Sequence, residues 1–319
     1  YCFSGFGLAL LLGGERFATV EVEIYRLVAY ELDMARASVL VWLVLAATAA
    51  AGGLYAYWSK RVAVDKSVSP LPPRAPVRAW EKWLTATVLA ILVLCCLLPL
   101  AAVWLKAATA GSSWAVLLEA QTWAAVWNTI RFSAAAVAAA TVLGVLYAAA
   151  ARQMAWLRAL MFLPFMVSPV CIAFGVLLLY PQWTASLWLL TATYALLAYP
   201  FVAKDVLAAW DGLPKDYAAA ARTMGANGFQ TACYVTAPLL KPALRRGLTL
   251  ASATCIGEFA ATLFLSRPEW QTLTTLIYDY LGRAGADNYG RAMVLTAVLT
   301  ALALAAFLLV DEAEGQKAV

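Results

Sequence analysis

"DYAAAARTMGANGFQTACYVTAPLLKP", residues 216–242, is the stretch on which the fold turns. It is rich in alanine, carries charge at both ends and is punctuated by Gly225, Gly228, Pro238 and Pro242, with long apolar runs on either side. Leu213-Pro214 followed by Lys215-Asp216 reads as a helix start, with proline early and an acid near the positive end of the dipole. Residues 218–221 are strong helix formers, and Gly225 supplies a stop. A second short helix, 228–237, is expected to end before Pro238. The stretch is then two short helices at an angle, held outside the bilayer. Small side chains give no advantage in solubility, but they let another protein approach closely.

The flanks set the class. Of 319 residues, 64% are hydrophobic and 13% charged, and the mean hydropathy is +0.77. Soluble domains are about 45–50% apolar and about 25% charged, so the chain is predicted to be an all-α integral membrane protein, a polytopic helical bundle. The net charge of +5 lies in loops and forms no stripe, so no nucleic-acid partner is expected. Histidine is absent, which removes His-based acid–base catalysis, His metal sites and Ser/His or Cys/His triads. The cysteines form no CxxC; all but Cys233 sit in apolar runs, where they act as small hydrophobes. No metal or redox role is expected of them.

A crossing helix needs about 20 mostly apolar residues. Spans are predicted near 37–58, 83–105, 129–150, 156–180, 185–203, 246–265 and 290–310. The first apolar run, 1–12, is too short to cross and has no signal-peptide features, so it reads as a helix cut by the start of the sequence. Residues 59–82 carry six basic residues and four prolines, the composition of a cytoplasmic linker. From that loop, 106–128 lies outside, Arg152 inside, 181–184 outside, 204–245 inside and 266–289 outside, with the tail 311–319 inside. Lys204, Lys215, Arg222, Lys241 and Arg245 agree with that assignment, and Trp104, Trp127, Trp183 and Trp270 stand near span ends as interfacial aromatics do.

The chain also repeats itself. "ERFATVEVEIY" (15–25) lies over "PEWQTLTTLIY" (268–278), pairing Thr19 with Thr272, Ile24 with Ile277 and Tyr25 with Tyr278; upstream, Phe6 meets Phe259. After a two-residue gap, "RASVLVWLVL" from Arg36 lies over "RAMVLTAVLT" from Arg291. Residues 1–58 therefore read as the last helix pair of one module and 83–310 as a second module of six spans. Parallel repeats pack around a pathway normal to the membrane, which favours a transporter.

The opening stretch resembles the cytoplasmic motif of permease subunits of importers in the ATP-binding-cassette (ABC) superfamily: Glu-Ala-Ala, three residues, Gly, nine residues, Ile-x-Leu-Pro. Ala219, Ala220, Ala221, Gly225, Val235 and Pro238 stand at those spacings. Ala219 replaces the motif's glutamate and Ala237 its leucine; Asp216, about one turn earlier, is placed to substitute for the lost carboxylate. The resemblance implies a type I ABC importer permease fold, in a bacterial inner membrane. It also implies that an ABC ATPase dimer grips the loop and that a periplasmic binding protein delivers cargo to 13–36 and 266–289. This chain has no GxxxxGK[ST] phosphate cradle, so ATP and Mg belong to the partner, and the chain itself is a transport subunit and no enzyme.

"LPFMVSPVCIAFGVLLLY" (163–180), "GEFAATLFLSRPEWQTLTTLIYDYLGR" (257–283) and "FSGFGLALLLGGERFATVEVEIY" (3–25) look most like the fused two-module permease of thiamine importers, with ferric-iron importer permeases as the alternative. An autonomous secondary carrier would need ion-coupling carboxylates in several spans, and Glu258 stands nearly alone. Glu258 is placed to meet a cationic thiazolium, to pair with Arg245 or Arg246, or to brace the two halves. Pro164, Pro169 and Gly175 are expected to kink the span 156–180. Tyr180, Tyr194 and Tyr199 are candidates for cation–π surfaces or for interfacial roles.

Overall fold

The computed structural model describes residues 6–13, 17–61, 78–161, 163–183, 186–265 and 267–311, and every regular element among them is helical. Two short helices come first, α1 (Phe6–Leu12) and α2 (Val20–Arg26), the latter running on as a π turn to Glu31. Three long ones follow: α3 (Met34–Arg61), α4 (Ala79–Ala108) and α5 (Ala120–Gln153). Short α6 (Ala155–Leu160), α7 (Leu163–Met166) and α8 (Pro169–Leu179) precede long α9 (Leu187–Gly212). Then come α10 (Lys215–Thr223), α11 (Gly228–Thr231) and α12 (Ala237–Ile256), and finally α13 (Ala260–Leu265), α14 (Leu273–Gly282) and α15 (Ala286–Asp311).

Met34–Leu54, α4, α5, α9 and Ala286–Val310 are long and apolar enough to cross a membrane, matching five of the predicted spans. Two others are corrected. The span 156–180 is three pieces: at Ser168 the backbone is extended, and its hydroxyl accepts the Val170 amide at 3.3 Å, starting α8 anew with Pro169 in its first turn. The span 246–265 is two pieces, since α12 starts at Ala237, ends at Ile256, and gives way through Gly257 to the separate half-helix α13. Hydropathy averages across both breaks because their neighbours are apolar. In addition, α5 begins at Ala120, inside the expected outer loop. The ends of the 59–82 linker are helical, while 62–77, residues 1–5 and the tail 312–319 lie outside the described residues.

The bundle is built on close approach of small residues. On α5, Ala136, Ala140, Gly144 and Ala148 are buried at four-residue spacing, which lays one face of small side chains along the helix. That face receives α9 through Ala195, Ala198, Val202 and Val206, and α12 joins through Ala243, Gly247 and Ala251. Small faces matter in lipid, where helices are held by packing and hydrogen bonds because apolar tails solvate leucine as well as protein does. A second core joins the ends of α4 and α5 to α14 and α15. A third packs Phe6, Ile24, Leu27 and Ala37 against Val170, Cys171 and Phe174 of α8, tying the first helices to the rest.

Candidate functional site

α10 stands off the bundle, and the sequence explains why it is discrete. Pro214 precedes its first residue with extended backbone, and Asp216 lies in the first turn. It ends in a Schellman motif: the Ala226 amide donates to the Ala221 carbonyl and the Gly225 amide to Arg222, each at 3.0 Å. The motif needs a left-handed residue, and Gly225 supplies it at φ +89°. Asn227 then starts α11 through a capping box with Gln230, at 2.8 and 2.9 Å.

Pro238 does not stop the second helix. The chain runs from α11 through a π turn, 232–236, straight into α12, with Pro238 in that helix's first turn. A proline ring clashes with the carbonyl four residues earlier, and the wider π turn makes room for it. The second arm of the loop is therefore continuous with the base of a long helix of the bundle.

Asp216, Ala219, Ala220 and Pro238 are exposed, and Ala221 and Val235 are half-buried. Behind α10 lies a recess of about 520 Å³, lined by Ala219, Arg222, Val235, Arg152 and Trp210 among others. Its wall is braced at the ends of α5, α6 and α9. Arg158 makes a two-pronged pair with Asp211 at 2.8 and 3.1 Å and donates to the Ala151 carbonyl at 3.0 Å. Arg152 stacks 4.8 Å above the Trp210 ring. Nothing in the sequence analysis singled out this clamp, although its basic and acidic members sit at span ends, where such pairs form.

Glu258 and Pro169 share a cavity of about 360 Å³ in the bundle, together with Pro164, Phe201, Phe6 and Phe259. Glu258 is nearly buried, and its Oε1 accepts the Ala261 amide at 3.0 Å, so it caps the half-helix α13. The expected pairing with Arg245 or Arg246 is not available: those residues lie far down α12, on the order of 15 Å along its axis. Tyr194 does not face the cavity. It is buried, and its hydroxyl bonds Thr262 and approaches the Glu258 carbonyl at 3.4 Å, which ties α9 to α13. Tyr199 packs on Tyr147 with ring centres 5.4 Å apart, and Tyr180 stacks on Trp183. Gly175 lies inside α8 without breaking it.

The loop 266–289, expected on the outside, is pinned to α5. Asn128 donates to the Gln271 carbonyl at 2.9 Å, and the Thr129 hydroxyl receives the Leu273 amide at 2.9 Å, capping α14. Glu119 accepts from Arg291 at 2.7 Å and from the Tyr280 hydroxyl at 2.9 Å. Burial pushes the Tyr280 phenol above its ordinary range. Asn128 and Thr129, polar residues on an apolar helix, were the signal for this anchor.

Residues 136–311, more than half the chain, match the family described as "Binding-protein-dependent transport system inner membrane component". The chain belongs to that family. It has the all-α polytopic fold of type I ABC importer permeases, and the matched region takes in the α10–α12 elbow, the loop 266–289 and all of the cavity lining except that from α1.

The permease is 27% identical over 196 residues to PhnV of Salmonella typhimurium, a permease protein named for 2-aminoethylphosphonate transport, covering 59% of this chain and 73% of that protein. It is 32% identical over 164 residues to the sulfate transport system permease protein CysT of Escherichia coli, covering 46% and 58%. Against the thiamine transport system permease protein ThiP of Salmonella typhimurium it is 24% identical over 333 residues, covering 99% of this chain and 61% of ThiP. These relatives are permeases of transport systems with different cargoes, so family membership identifies a membrane transport subunit without singling out thiamine.

Proposed function

We propose that this permease is the translocating subunit of a bacterial inner-membrane importer for thiamine or its phosphates, driven by a separate ABC ATPase dimer and supplied by a periplasmic binding protein. The observation that carries the coupling assignment is α10: a helix with exposed alanines, halted at Gly225, whose return arm is the base of α12. In this reading, closure of the ATPase dimer moves α10, and α12 transmits the movement to the cavity. Residues 1–58 are the end of a first module, 83–310 a second, and 59–82 their cytoplasmic linker. Residues 13–36 and 266–289 receive the binding protein.

Two observations support a thiamine-like cargo. The likeness to ThiP runs through nearly the whole chain, including the first helices. Among the described residues the cavity is lined by apolar and aromatic side chains with Thr254 and one carboxylate, Glu258, and no Lys or Arg, which suits an aromatic cation better than an oxyanion. Likeness to the phosphonate and sulfate permeases favours an anion as the second reading. Titrating the cognate binding protein with thiamine, ferric iron and sulfate tests the choice: tight thiamine binding is expected, and binding of iron or sulfate alone would overturn it. Co-purification of the permease with the ATPase tests the coupling role.

A further inference from the structure

Residues 253 apart in the sequence alignment of the two loops also behave alike in the structure. Thr19 and Thr272 both precede their helices with extended backbone, and α2 and α14 begin at Val20 and Leu273. Leu32 and Gly285, at the same offset, both turn with positive φ, at 56° and 122°. Leu32 takes it as the left-handed cap of the π turn that follows α2, its amide donating to the Leu27 carbonyl.

Equivalent residues also touch each other. Phe6 stacks on Phe259 with ring centres 5.9 Å apart, and Tyr25 and Tyr278 line one recess together. Within each copy the same aromatic pair recurs: Phe6 lies 5.7 Å from Tyr25, and Phe259 lies 5.4 Å from Tyr278. Self-pairing of equivalent positions is what a two-fold axis imposes on a surface that meets its own copy. The axis therefore runs between the two phenylalanines and between the two tyrosines.

The cavity fixes what lies on that axis. Phe6 and Phe259 line it, while Pro164 and Phe201 extend it toward the ends of α7 and α9 that the basic loops assign to the cytoplasm. Tyr25 and Tyr278 belong to the outer helices α2 and α14. In order from outside, the axis crosses a tyrosine pair, then a phenylalanine pair, then the cavity.

We propose that the Tyr25–Tyr278 and Phe6–Phe259 pairs are the closed outer gate of the pathway, one leaf from each copy, and that they part when the ATPase dimer closes. The proposal rests on the importer reading above. Bulky aromatics suit the task because a few rings seal a wide aperture against water, and stacked rings can part without breaking an ion pair or a covalent link.

The test uses the complete protein reconstituted with its ATPase, carrying Phe6→Cys and Phe259→Cys, with each single variant as a control for the native cysteines. A reducible bifunctional thiol reagent is expected to join the two positions without nucleotide. The yield is expected to fall about fivefold after trapping with ATP and vanadate, as a gate that follows the nucleotide state requires. Once joined, ATP hydrolysis is expected to drop about tenfold and to recover on reduction, the recovery showing that the variant is folded. Equal yields in both states, no joining in either, or undiminished hydrolysis of the joined protein would overturn the gate. A second variant, Tyr25→Ala with Tyr278→Ala, is expected to leak trapped potassium from vesicles without nucleotide; tight vesicles would count against the gate. Failure of the unmodified protein to associate with the ATPase would instead defeat the importer reading, a result that the cross-linking of the resting pair does not depend on.

Discussion

Gly144 of α5 and Val202 of α9 meet so closely that a side-chain carbon on the glycine would stand 2.7 Å from the valine Cβ. On the other side of the same valine, a carbon on Gly247 would lie 2.8 Å from the Val202 Cα. Three helices thus cross at one residue, and two glycines make the crossing possible. Because the obstacle at Gly247 is backbone, it cannot be relieved by rotating a side chain. Gly247→Ala is expected to cost roughly 1–3 kcal/mol, the usual range for overpacking, read as a lower melting temperature in detergent. Gly175→Ala, with nothing within 4 Å of the added carbon, is expected to leave the melting temperature unchanged or slightly higher.

Gly225 makes the opposite case, where backbone conformation and not space sets the cost. Nothing crowds it, but its φ is +89°. Gly225→Ala is expected to cost about 1–2 kcal/mol, confined to the end of α10. The bundle should melt as before while less ATPase co-purifies. A lowered melting temperature with full ATPase association would contradict this localisation.

The five uninterrupted spans were legible because a crossing helix announces itself by length and apolarity alone. The elbow was legible in part. Gly225 reads correctly as a stop because only glycine takes a left-handed turn without strain, whereas Pro238 misleads: the π turn before it absorbs the ring. The break at Ser168 was legible in part, because Pro164 and Pro169 were expected to kink that span, whereas the break at Gly257 was hidden among apolar neighbours such as Ala260 and Ala261. Glu258 was visible as an oddity, but its job as a cap on Ala261 needed the half-helix to be known first. The Arg158–Asp211 clamp was invisible because its partners lie far apart in the chain.

The two roles of Glu258 separate by substitution. Glu258→Ala removes the cap of α13 and is expected to cost about 1 kcal/mol. Glu258→Gln keeps an acceptor oxygen for the Ala261 amide and is expected to preserve stability. If the cargo is cationic, however, Glu258→Gln should slow thiamine uptake about tenfold, equivalent to ~1.4 kcal/mol. Uptake equal to the unmodified protein would assign Glu258 to capping alone.

The outer clamp is testable without transport. Arg291 and Glu119 are roughly a third exposed, so their pair is discounted for solvent screening and is expected to contribute about 1 kcal/mol or less. A double-mutant cycle with Arg291→Ala and Glu119→Gln, read by thermal melting, should give a coupling of that size. Zero coupling would leave Asn128 and Thr129 as the anchor of the outer loop.

The most direct measurement is uptake of radiolabelled thiamine into vesicles holding the complete permease, compared with and without the ATPase subunit, ATP and loaded binding protein. If α10 is the handle through which an external motor works the pathway, uptake occurs only when all three are present, and Gly225→Ala reduces it. Accumulation by the permease alone, with no nucleotide hydrolysed, would contradict the account.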